Sequence, residues 1–167
     1  MTLRETFPYD APAGTVYAMV TDPEFQTRVM EATLALEHEV EVSPTGEDSH
    51  TVTTRRVLPT DQAPETIRRM IGASVRVTQV TQWSPIAADG SRTGRTTLDI
   101  AGVPVSGTGE IRLVPTNTAT DQIVTADVTC SIPLVGGKIA AAATPLITSA
   151  LKAEHRTGAA WLGEHRS

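Results

Sequence analysis

Apolar residues recur along most of this chain at every second position, the spacing of a strand that keeps one face dry and the other wet. Leu34, Leu36, Val40 and Val42 alternate with Ala35, Glu37, Glu39 and Glu41, which predicts a half-exposed antiparallel strand from Leu34 onward. Pro44-Thr45-Gly46-Glu47-Asp48 supplies a hairpin turn into a strand over His50 to Leu58, with Val52, Thr54, Arg56 and Leu58 on one face. The same alternation predicts strands over Ser74 to Trp83, Arg92 to Ala101, Val103 to Val114 and Asp121 to Ile132. On the third of these, Val105, Gly107, Gly109, Ile111 and Leu113 point inward, and on the last Val124, Ala126, Val128 and Cys130 do so. Thr2 to Phe7 reads as a first strand, closed by Pro8 and Asp10-Ala11-Pro12.

Elsewhere the period becomes helical. Two short helices are expected over Ala13 to Val20 and Pro23 to Ala32, the second opening on a proline at its first turn. A short helical segment over Pro64 to Gly72, with Ile67, Met70 and Ile71, interrupts the strands. The last element, roughly Leu134 to Gly163, carries Ile139, Ala142, Ala143, Leu146, Ala150, Ala153, Thr157 and Trp161 at helical spacing, with a kink expected at Pro145. Seven alternating strands need a cover for their dry face, and only this helix is long enough to provide it. The fold class that follows is α+β, an antiparallel sheet curled around a C-terminal helix.

Composition narrows the picture. A chain of 167 residues, 40% hydrophobic and 20% charged, suits one folded domain spanning 1–167. A formal charge of −5, with fourteen scattered basic residues, argues against a nucleic-acid partner. Cys130 is alone, so no intrachain disulfide can form, which suits a reducing, cytoplasmic location. No apolar leader follows Met1, and the thirteen residues between Lys138 and Lys152 are too few for a transmembrane segment, which needs about 18–20. His-Glu-x-x-His, paired cysteines and Gly-x-Ser-x-Gly are all missing, so the sequence supports no catalytic set, metal or cofactor. His50 reads as exposed, and Glu154, His155 and His165 as a solvated helix face. Val135-Gly136-Gly137-Lys138 lacks the spacing of a phosphate loop; its glycines let the chain turn from strand to helix, with Lys138 in solvent.

Strand, two short helices, six strands and a long C-terminal helix is an order that resembles the helix-grip fold of the START, polyketide-cyclase and birch-pollen-allergen (SRPBCC) superfamily. Phe7-Pro8-Tyr9-Asp10-Ala11-Pro12 running to Thr21-Asp22-Pro23, and above all Ile132-Pro133-Leu134-Val135-Gly136-Gly137-Lys138-Ile139, look like an uncharacterised START-like family known only as a domain of unknown function. That family commonly has an acidic residue after Gly-Gly-Lys-Ile, where this chain has Ala140, so no role for that carboxylate carries over. Membership implies a hydrophobic cavity between sheet and helix.

The residues on the inner face bear on that cavity independently. Gly107, Gly109 and Ala126 are small, and the helix opposes them with Ala142, Ala143, Ala150 and Ala153; either the two layers approach closely or space is left for a ligand. Polar groups interrupt the same face: His38 among Leu34, Leu36, Val40 and Val42, Arg56 between Thr54 and Leu58, Gln79 between Val77 and Thr81, and Glu5 between Leu3 and Phe7. Each either finds a partner in the fold or serves a ligand's polar head, since an unpaired buried polar group costs roughly 1–3 kcal/mol. His38, Arg56, Gln79, Trp83, Gly107, Gly109, Leu146 and Ala150 are therefore the candidate ligand-binding residues. Three functions remain open: a carrier for a small hydrophobic molecule, an enzyme of the cyclase, aromatase or dehydratase type using His38 with Arg56 or Glu5, and a protein-interaction module. A homodimer through the sheet edges is compatible with all three.

Overall fold

In a computed structural model, residues 1–165 are described. The elements are β1 (Thr2–Tyr9), α1 (Ala13–Val20), α2 (Pro23–Ala32), β2 (Glu37–Gly46), β3 (Ser49–Pro59), α3 (Glu65–Ile71), β4 (Ser74–Trp83), β5 (Arg92–Ile100), β6 (Val105–Thr116), β7 (Ala119–Cys130) and α4 (Gly136–Glu164). The strands form one seven-stranded sheet in the order β1-β7-β6-β5-β4-β3-β2, antiparallel throughout. Short turns join β2 to β3 and β6 to β7, while α1 and α2 carry the chain across from β1 at one edge to β2 at the other.

Local chemistry explains most boundaries. Asp22 caps α2 by accepting from the Glu24 amide at 2.8 Å, and Pro23 needs no partner for the amide hydrogen it lacks. At the other end the Ala35 amide bonds to the Met30 carbonyl and the Leu34 amide to that of Glu31, a Schellman motif with Leu34 at its left-handed position, φ 63°. That motif corrects the expected start of β2. Leu34 and Leu36 belong to the exit from α2 and are 72% and 63% exposed, so the dry face of β2 is carried by Val40 and Val42.

Gly136 opens α4 because a Cβ there would run into the Cys130 carbonyl, and Lys138 is exposed, as the sequence suggests. Pro145 lies inside α4, which continues to Glu164. Val103 and Ile132, expected in β6 and β7, lie in the turns that flank them, where the Val103 amide bonds to the Ile100 carbonyl.

Two apolar clusters hold the layers together. The larger joins α1, α2, the end of α4 and one end of the sheet through Tyr9, Val16, Phe25, Met30, Trp83, Leu113 and Trp161. The smaller packs Val105 and Val128 against Ile139 and Ala140 at the start of α4. His155 is tied in as well: its Nε2 lies 2.7 Å from the Pro8 carbonyl oxygen, and its ring packs beside Phe7 and Tyr9. It clamps α4 to β1, which corrects its reading as part of a solvated face. His50 is likewise engaged, with Nδ1 2.8 Å from the Tyr17 hydroxyl.

Candidate functional site

Between sheet and helix the two clusters leave a cavity of about 610 Å³, inside the roughly 300–1,000 Å³ of small-molecule sites. Of the two alternatives posed by the small residues, space is found beside Ala143, Ala150 and Ala153, whereas Gly107, Gly109, Ala126 and Ala142 lie outside its wall. The inward sets of β3 and β4, Val52, Thr54, Arg56 and Leu58, then Val75, Val77, Gln79, Thr81 and Trp83, all contribute to its wall. Leu98, Ile100, Val105, Ile111 and Val128 extend the wall across the sheet, and Ile139, Ala143, Leu146, Ile147, Ala150 and Glu154 close it from α4. Ile67, Met70 and Ile71 of α3 also line it, and Met70 and Leu146 are exposed.

Arg56, Gln79, Trp83, Leu146 and Ala150 are thus brought together around one space. Three other candidates are not part of its wall. His38 stands opposite Arg56 in the β2–β3 register, yet β2 is the edge strand and the imidazole is exposed beyond the helix cover. Gly107 and Gly109 do face inward, but Leu98 lies against the first, 3.6 Å from where a Cβ would sit. At the second, a Cβ would sit 2.6 Å from the Thr125 carbonyl oxygen, so Gly109 permits a close approach of β6 and β7. Glu5, half-buried on β1, is also outside the wall.

Two polar groups within the wall, Arg56 and Gln122, are incompletely partnered. Arg56 is only 8% exposed; its Nη1 donates to Thr33 Oγ1 at 3.0 Å, and its Nε is buried without a partner. Thr33 is the C-cap of α2, so the negative end of that helix dipole faces the guanidinium. Burial pushes the Arg56 pKa down, and the Glu154 carboxylate opposes that effect. Burial pushes the Glu154 carboxyl up, with Arg56 pulling the other way. Gln122 Oε1 in the wall and the Tyr9 hydroxyl outside it are buried without partners, and burial, followed by the charge of Glu154, raises the phenol above its ordinary range.

Glu154 was missed from the sequence because it neighbours His155 and Lys152 and looks like surface. The signal that finds it is the seven-residue spacing Ile147, Glu154, Trp161, which puts all three on one helix face.

A family model described as "Protein of unknown function (DUF2505)" matches residues 4–162. The chain belongs to that family. Solved START-like structures share the helix-grip fold of this DUF2505 member. A START superfamily protein from Mycobacterium smegmatis shares 15% identity at a TM-score of 0.59, covering 99% of this chain and 99% of its own. A STAR-related lipid transfer protein fragment from Xanthomonas axonopodis shares 17% at 0.59, covering 94% and 85%. An aromatase/cyclase from Streptomyces sp. R1128 shares 16% at 0.57, covering 95% and 93%. These likenesses establish the fold. No curated protein matches the sequence. Among the described residues, no helix is long and apolar enough to cross a membrane.

Proposed function

We propose that this DUF2505 protein binds or carries a small hydrophobic molecule in the space between sheet and α4. The observation that carries the reading is the 610 Å³ cavity itself, walled mainly by Val, Leu, Ile and Ala side chains, with Arg56 on the sheet and Glu154 on α4 among its polar groups. Interiors pack at crystal density unless something pays for a void, and an apolar void gains most from an apolar occupant. A titration with the fluorescent hydrocarbon amine N-phenyl-1-naphthylamine tests this. Wild type is expected to bind it in the micromolar range, about −8 kcal/mol, and Ala150→Phe, which fills the cavity from α4, to weaken it at least about tenfold while remaining folded. Equal binding by both proteins, or none by wild type, would count against the reading.

One observation favours a second reading, an enzyme of the cyclase, aromatase or dehydratase type. Glu154 is a carboxyl in an apolar wall whose pKa is raised, as suits a general acid. The pairing of His38 with Arg56 or Glu5 expected from sequence would have to give way to Glu154, since neither His38 nor Glu5 is part of the cavity wall.

A further inference from the structure

Arg56 is an unusual cation for a protein interior. None of the ion pairs among the described residues includes it, and its one side-chain hydrogen bond goes to a neutral hydroxyl. The α2 terminus offers it partial charge only. Glu154 faces the same cavity from α4 and feels Arg56 electrostatically, but from beyond ion-pair distance. The remaining charged side chains on the wall are Asp61, from the segment between β3 and α3, and Arg156 of α4, both exposed at the rim; Tyr9 of β1 stands near Glu154 with its phenol buried. A separated cation and carboxyl therefore flank an apolar space, with a donor on Arg56 unused.

Resting on the cavity-binding reading, we propose that the occupant is an amphiphile with a single carboxylate head, that this head docks on Arg56, and that Glu154 is protonated when it does. A guanidinium does not surrender its charge, and its planar fork matches a carboxylate with two parallel bonds. An alcohol would leave that charge unmatched, and an ammonium head would meet it directly. Ionised Glu154 would repel the incoming carboxylate, whereas protonated Glu154 becomes a donor to it. Burial already favours the protonated form. The sign follows: affinity is highest at low pH and falls as Glu154 ionises, by up to about tenfold per pH unit.

Isothermal titration with dodecanoate, dodecan-1-ol and dodecylamine from pH 6 to 9 reads each part. Wild type is expected to prefer dodecanoate over the other two by roughly 10- to 100-fold at pH 6, and to lose that preference progressively as pH rises. Glu154→Gln is expected to make dodecanoate affinity independent of pH, and Arg56→Met to equalise dodecanoate and dodecan-1-ol. Dodecan-1-ol binding as tightly as dodecanoate, or a flat wild-type pH profile, overturns this inference and leaves the cavity reading standing. Failure of all three probes to bind overturns both.

Discussion

Glu154 ties the chemistry of the cavity to the stability of the protein. Its carboxyl is easier to protonate in the folded chain than in the unfolded one, because burial disfavours the anion more than Arg56 favours it. The folded state thus holds the extra proton, and the stability this contributes is complete below the ordinary carboxylate pKa and is lost as pH rises through the elevated folded value. Glu154→Gln removes the titration while keeping the size of the side chain. It should match wild type in melting temperature near pH 4 and exceed it at pH 8, with each kcal/mol gained worth about 2–4 °C. Calorimetric scans at the two pH values check this; a variant less stable than wild type at pH 8 would show that Glu154 stabilises the fold as an anion.

Among the elements, the turn between β2 and β3 is fastened by a side chain from elsewhere in the sheet. Arg92 of β5 donates to the Asp48 carbonyl at 2.9 Å and its carboxylate at 2.8 Å, and its guanidinium lies 3.6 Å from the centre of the Tyr17 ring on α1. Tyr17 in turn meets His50 and, in an edge-to-face contact, Trp83, which also lines the cavity. Arg92 holds the Asp48 carboxyl below its usual range. Arg92→Ala should cost roughly 2–3 kcal/mol, from the charge-assisted bonds and the cation–π contact together, measured by urea unfolding; a loss below about 0.5 kcal/mol would mean the fastening is ornamental. The period-two alternation made this sheet legible before any coordinates, and α1, α2 and β4 fall where it and the prolines put them. Leu34 and Leu36 misled because their spacing matches a strand while the backbone at Leu34 is committed to ending α2. Periodicity also does not say where the helix cover stops. That is why His38, on the right face of an edge strand, is outside the cavity, and why Glu154, hidden among polar neighbours, is within it.

For the whole molecule, the decisive feature is that its two apolar clusters do not merge. Members of both, Val52 and Trp83 from one and Val128 and Ile139 from the other, line the same space. A sheet closed by a single helix with small residues along its middle cannot fill that space from its own side chains, and the alanines of α4 at 143 and 150 are where filling would have to come from. Diffraction from crystals grown with 12-bromododecanoate, using the anomalous signal of bromine, looks directly for an occupant. The account predicts a bromine peak within the space bounded by Val77, Val128, Ile139 and Ala143, together with carboxylate density beside Arg56. Bromine found only on the outer face of the sheet, with the interior closed over, would contradict it.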